Sequence, residues 1–170
     1  MAVDRASGRV TLTMRNQGKQ GVSHQVFPNI ALPFASTPFT VAPRGKAAYT
    51  WESSAHEGAY DFSLYGPDRF LRRFAGTVIA AGTTDVPAPR VSAETIPGGK
   101  GVLRLTLAND GTPSVHYTLT ANDFITRERH ETVKPGRSTT VNWPVDEWGY
   151  YDVVVTDGAG FRYRYAGRVE

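Results

Sequence analysis

The sequence predicts an all-β protein made of two tandem immunoglobulin-like β-sandwich repeats. Apolar residues alternate with polar ones in short runs, such as Val10, Leu12 and Met14, while helical periodicity is nearly absent. The chain also repeats itself: segments 58–61 and 70–76 return as 149–152 and 161–167, about 91 residues later. A repeat of this length predicts two copies of one self-contained unit.

Each unit is expected to contain the same series of strands. A first alternating strand ends in an Asn-x-Gly turn, where glycine can adopt a positive φ and asparagine tolerates one. Two further strands follow, and a hairpin rich in aromatic residues closes the unit. The predicted strands are 9–15, 23–27, 47–51, 60–64 and 70–74 in the first unit, and 102–107, 115–120, 138–143, 151–155 and 161–165 in the second.

Domain boundaries follow from the repeat. We expect a first unit at 1–79, a linker at 80–89 that is small, polar and contains proline, and a second unit at 90–170. Residues 90–95 predict an extra strand that opens the second unit. Its counterpart would lie upstream of Met1, so the first unit is expected to lack its first strand.

Composition excludes several classes of function. The chain has no cysteine, so neither disulfides nor thiolate metal sites can form. The net charge of +3 comes mostly from scattered residues, so we favour an ordinary solvated surface over a weak attraction for anionic lipid headgroups or nucleic acid, and we expect no nucleic-acid partner. Known nucleophile, phosphate-loop and metal motifs are missing from the sequence, so we expect no catalytic residue, no cofactor and no metal site.

Two histidines, His24 and His116, fall at nearly equivalent repeat positions. They could form a ligand-binding or acid–base pair, or be repeated strand residues with one polar tip. We favour the second interpretation.

The most conspicuous polar residues are Asp61 and Arg73, with Asp152 and Arg164 as their counterparts. Catalysis or anion binding is one interpretation. The other follows from strand parity: if Tyr60 faces Phe74 across the hairpin, each aspartate faces its arginine on the opposite surface. Because the pair recurs, we predict two structural cross-strand ion pairs.

The larger aromatic residues divide into core and candidate contact residues. Trp51 and Trp143 hold equivalent positions and are expected in the two cores. The tryptophan at 148 has no counterpart, since Glu57 stands at that position in the first unit. Candidate lipid contacts, on exposed loops, are Trp148, Phe34, Phe39 and Phe124.

The paired closing hairpins (60–76 and 148–170) resemble the duplicated C-terminal domain of bacterial phosphocholine-type phospholipases C, the haemolytic and non-haemolytic secreted enzymes. In that family the repeats follow a catalytic domain that cleaves phosphatidylcholine or sphingomyelin. The resemblance implies secretion, and a catalytic domain of the same polypeptide as partner. It carries no catalytic residue onto this chain.

The function predicted from residues and resemblance together is non-catalytic. We expect the repeats to brace the catalytic domain and to help present it to phospholipid surfaces. The alternative is a module that binds carbohydrate or a protein partner.

Overall fold

The computed structural model describes residues 1–30, 35–99 and 101–169. The chain forms two compact units, Met1–Ala81 and Gly82–Glu170. Between them no strand is assigned at residues 78–88, and the next strand begins at Pro89. The predicted boundaries at 79 and 90 lie close to these points.

Residues 1–30 and 35–81 of the first unit form seven strands and one short 3₁₀ helix at Ser53–His56. Three strands form one sheet in the order β1-β2-β5, and four form the second in the order β4-β3-β6-β7. The strands are β1 (Ala2–Asp4), β2 (Arg9–Arg15), β3 (Val22–Pro28), β4 (Thr37–Val41), β5 (Lys46–Glu52), β6 (Ala59–Tyr65) and β7 (Leu71–Thr77).

The second unit repeats this arrangement. Its sheets have the orders β8-β9-β12 and β11-β10-β13-β14. The strands are β8 (Pro89–Ile96), β9 (Val102–Asn109), β10 (Val115–Asp123), β11 (Glu128–Val133), β12 (Ser138–Pro144), β13 (Tyr150–Thr156) and β14 (Arg162–Arg168). In each unit the fourth strand pairs with the third, whereas the constant-type immunoglobulin sandwich places its fourth strand in the other sheet.

Each core lies between the two sheets of its own unit. In the second unit Leu105 and Val153 are fully buried, and the Tyr165 hydroxyl donates to the Val91 carbonyl of the opposite sheet at 3.0 Å. In the first unit the ring of Tyr49 meets that of Phe62 across the sandwich, 5.5 Å between centroids. The predicted all-β sandwich fold is confirmed.

The first unit does contain an opening strand, which corrects one expectation. Strand β1 is only three residues long, but it pairs antiparallel with β2 as β8 pairs with β9. The short length is why period-two alternation could not reveal it.

The register of the closing hairpins also differs from the expected one. Tyr60 lies opposite Gly76 instead of Phe74, and Phe62 lies opposite Phe74. A Cβ placed on Gly76 would meet the Tyr60 hydroxyl oxygen at 2.7 Å, so the glycine makes room for the tyrosine ring. The second unit repeats the pair with Tyr151 opposite Gly167.

Candidate functional site

The outer face of the second hairpin carries a nearly buried aspartate. Asp152, whose side chain is 5% exposed, accepts two hydrogen bonds from Arg164: Nε to Oδ1 at 2.8 Å and Nη2 to Oδ2 at 2.6 Å. The Asn122 amide donates to Oδ2 at 3.1 Å. Both carboxylate oxygens are therefore engaged by neighbouring side chains.

The first unit contains the same triad. Arg73 donates to Asp61 at 2.9 and 2.6 Å, and Asn29 donates to Asp61 Oδ1 at 2.7 Å. Hydrogen bonding to Asp61 raises the pKa of the Arg73 guanidinium above its already high ordinary value, so the arginine stays cationic. Asn29 also donates to the Ser63 hydroxyl at 3.0 Å.

The structure thus brings each predicted aspartate and arginine together, but not directly opposite one another. Asp61 lies across from Ala75 and Asp152 across from Ala166. Each arginine reaches its aspartate diagonally, from two positions nearer the hairpin turn. A shift of two residues preserves the face, which is why parity placed the groups on the correct surface despite the wrong register.

The triads connect neighbouring strands and are poorly suited to catalysis. Asn29 follows β3 and Asn122 lies in the bulge of β10, so each amide connects the closing hairpin to the next strand of its sheet. A carboxylate whose two oxygens are held by a guanidinium and an amide is a poor general base. Sequence reasoning missed both asparagines, although their near-equivalent positions in the repeat could have revealed them.

A second repeated asparagine serves the turn after the first long strand. Asn109, fully buried, donates to the carbonyls of Pro113 and Val133 and accepts from the Gly111 amide. Asn16 makes the equivalent three bonds in the first unit. These buried amides satisfy backbone groups that the sheets leave open.

The two histidines are not equivalent. Val22 pairs with Val41 at the end of β4, and Val115 pairs with Val133 at the end of β11. His24 and Tyr117 each lie two residues after the first valine of these pairs, so strand pairing makes His24 equivalent to Tyr117. His24 Nδ1 is buried, and burial lowers the pKa of its imidazole, partly offset by a hydrogen bond at the Tyr65 backbone. His116 lies on the exposed face of β10, 3.0 Å from the Thr132 hydroxyl. The different environments of the two residues do not support a repeated ligand-binding or acid–base role.

The candidate lipid contacts are in different environments. Phe39 lies in β4, not in a loop, and its ring contacts Tyr49 of the opposite sheet, 6.4 Å between centroids. Phe34 lies outside the described residues. Trp51 and Trp143 are buried, as expected of core residues. Trp148 is 66% exposed.

Phe124 is linked to the Trp148 loop through Tyr150 and Arg168. Its ring stacks on Tyr150 with centroids 5.3 Å apart and planes 24° from parallel. The Arg168 guanidinium lies 5.5 Å from the centroid of Tyr150, and its Nε donates to the Trp148 carbonyl at 3.0 Å. We call Phe124, Trp148, Tyr150 and Arg168 the Trp148 cluster.

The loop that presents Trp148 is fixed by its own hydrogen bonds. Asp146 Oδ1 accepts from the amides of Trp148 at 2.9 Å and Tyr150 at 2.7 Å. Gly149 has φ of 85°, and a Cβ there would meet the Val169 carbonyl oxygen at 2.8 Å. A side chain at this position would force the loop to change.

An open groove lies on the outer face of the first unit. It has a volume of about 650 Å³ and is lined by Gln25, Phe27, Pro28, Asn29 and Tyr65. The rings of Phe27 and Tyr65 meet at nearly a right angle, 5.5 Å between centroids, and Tyr65 is 47% exposed. The corresponding strand positions of the second unit hold Thr120 and Thr156, so this aromatic wall is not repeated.

Within the described ranges, no three histidine, aspartate or glutamate side chains are grouped so that they could hold a metal ion. None of the described helical segments has the length and apolar character needed to cross a membrane.

Comparison with known proteins identifies relatives of both units. A family model described as "Bacterial phospholipase C, C-terminal domain" matches residues 1–77 and again residues 84–168. A non-hemolytic phospholipase C of Burkholderia pseudomallei is 32% identical over 99% of this chain, and one of Pseudomonas aeruginosa is 31% identical over 95%. A hemolytic phospholipase C of P. aeruginosa is 28% identical over the whole chain.

The chain spans about a quarter of the length of these relatives (24% of the first two and 26% of the third). In those proteins the matching region is one part of a larger enzyme. Since the family model covers nearly every residue of both units, the chain belongs to the bacterial phospholipase C C-terminal domain family.

Proposed function

We propose that this chain is the non-catalytic, immunoglobulin-like tandem region of a secreted phospholipase C, which braces the catalytic domain and helps it bind phospholipid surfaces. The proposal rests on the family match over both units. It rests also on the fact that this chain covers only 24% of the B. pseudomallei relative, which is a larger protein. The parent enzyme is proposed to hydrolyse phosphatidylcholine or sphingomyelin and release phosphocholine.

The repeated polar groups support a structural role. The aspartates that sequence analysis singled out are bound within triads, and the buried asparagines hold backbone groups. Because these polar groups are hydrogen-bonded within the protein, they stabilise the sandwiches and are not available to bind a substrate. We therefore expect no phosphocholine release by the isolated chain.

Bracing is tested in a full-length relative. Deleting the region that matches this chain from the B. pseudomallei enzyme should lower the melting temperature of the remainder, because an interface in cis is lost. A deletion that leaves the melting temperature unchanged argues against bracing.

The same deletion also tests surface binding. If surface binding is lost, activity on a soluble chromogenic phosphocholine ester should fall less than activity on vesicles.

Surface binding is tested with the chain itself. Co-sedimentation with phospholipid vesicles should deplete it from the supernatant, whereas an unrelated β-sandwich of similar charge should remain soluble. Failure to sediment with any vesicle would remove the lipid role and leave only bracing.

The groove of the first unit favours a second candidate function, carbohydrate binding. Two aromatic rings and two side-chain amides, from Gln25 and Asn29, combine an apolar wall with directional hydrogen-bonding groups, a common composition of small-molecule sites. Retention on immobilised oligosaccharide that is lost in Tyr65→Ala would support this function. Equal retention of the variant and the parent chain would show that the groove is not the carbohydrate-binding site.

A further inference from the structure

We propose that the Trp148 cluster is the membrane-contact site of the second unit and that it selects zwitterionic phospholipid headgroups, with the ammonium at Trp148 and the phosphate at Arg168. This inference rests on the lipid half of the proposed function and adds its location and headgroup chemistry.

The internal repeat acts as a control for what the fold requires. The core tryptophans, hairpin tyrosines and polar triads all recur in both units. At the positions of Trp148, Tyr150 and Arg168, the first unit has Glu57, Ala59 and Thr77. A sandwich of the same topology thus forms without these three side chains, so folding does not explain them.

The loop is held so that the indole stays exposed. In the first unit the corresponding connection is one residue longer and forms a 3₁₀ helix. In the second, the Asp146 side chain holds the backbone on both sides of Gly149 and the Arg168 side chain holds the Trp148 carbonyl. A large aromatic side chain on a fixed loop loses little conformational entropy when it enters an interface.

This loop geometry leaves a buried donor of the core without an acceptor among the described residues. In the first unit the Trp51 indole nitrogen donates to the Ala59 carbonyl at 2.9 Å. The equivalent acceptor in the second unit is the Tyr150 carbonyl, which instead accepts from the Asp146 amide at 2.9 Å. The buried Trp143 indole nitrogen is left without a hydrogen-bond partner in the described structure. Local costs of this kind concentrate at functional sites.

The charges around the indole favour a zwitterion over an anion. Glu147 precedes Trp148 and is exposed, and Asp146 and Asp123 lie at the bases of the two aromatic loops. These carboxylates disfavour an anionic surface, and together with an aromatic face they favour a quaternary ammonium group.

The cationic groups of the region complete the pattern. Arg168 supplies an exposed guanidinium beside Tyr150, which suits a phosphate. The Arg127 guanidinium lies 5.9 Å from the ring centroid of Trp143, which is the buried core tryptophan. Positive and negative groups on one aromatic surface match the two charges of a phosphate–ammonium headgroup.

The test is vesicle binding by the 170-residue chain and matched variants. The chain should bind phosphatidylcholine vesicles more tightly than phosphatidylglycerol vesicles, and its tryptophan emission should shift to shorter wavelength. Trp148→Ala should weaken phosphatidylcholine binding about tenfold. Glu57→Ala, at the equivalent position of the first unit, should bind like the parent. Glu147→Lys should shift preference towards phosphatidylglycerol.

The outcomes separate this inference from the proposed function. If the chain binds vesicles but Trp148→Ala binds equally well, the lipid role stands and this site is wrong. Tighter binding to phosphatidylglycerol would overturn the headgroup assignment. Absence of binding to every vesicle would overturn this site and the lipid half of the proposed function, and would leave bracing. Melting temperature, expected to be unchanged in Trp148→Ala because the side chain is exposed, excludes unfolding as a cause.

Discussion

Replacing Arg164 by methionine should destabilise the second unit strongly. The substitution keeps most of the side-chain volume but removes both hydrogen bonds to Asp152, whose side chain is only 5% exposed. Of the side chains that hold this carboxylate, the Asn122 amide would remain. Breaking a buried ion pair by removing one partner costs about 3–5 kcal/mol, because an uncompensated charge stays buried. Such a loss is a large part of the stability of a small domain.

The first unit supplies the matched comparison. Arg73→Met removes the same two bonds, but the Asp61 side chain is 13% exposed, so water can solvate the carboxylate better. Its cost should be clearly smaller than that of Arg164→Met. The double variant Asp152→Asn/Arg164→Met should recover part of the lost free energy, because no charge remains buried.

Guanidinium-induced unfolding, followed by tryptophan fluorescence and far-UV circular dichroism, measures these differences. Two transitions are expected if the units unfold separately, and only the transition of the second unit should move in Arg164→Met. A change below about 0.5 kcal/mol, the usual range for exposed sites, would refute the argument that Asp152 is held as a buried charge. A double variant no more stable than Arg164→Met would refute the electrostatic cause.

Three further predictions concern packing and pH. Phe161→Ala should cost about 3–5 kcal/mol because Phe161 is 6% exposed, and Phe70→Ala should cost less because Phe70 is half-buried; equal losses would contradict the burial assigned to them. Gly76→Ala should cost about 1–3 kcal/mol in thermal or denaturant unfolding, since the new methyl group overlaps the buried Tyr60 ring, and an unchanged stability would show that the ring moves freely. Burial lowers the pKa of His24 below 6.5, so the unfolded chain binds more protons near that pH; stability should fall as the pH drops through 6.5, less so in His24→Gln, and parallel pH curves would refute this.

Local patterns in the sequence determined most of the fold. Alternation of apolar residues identified the long strands, and the repeat identified two like units. Both patterns can be read directly from the order of residues along the chain. Parity placed Asp61 and Arg73 on one face for the same reason. Exposure of Trp148 was expected because the residue lies in the turn that leads into the last hairpin.

Tertiary structure decided what depends on distances between strands. Register within the hairpin, the hydrogen bond from the Asn29 amide to Asp61, and the contact of Phe39 with the opposite sheet all depend on the geometry of two packed sheets. The Trp148 cluster likewise joins residues from two loops and two strands. Sequence gives the face on which a side chain lies, but packing gives its neighbours, since a shift of two residues keeps the face and changes every contact.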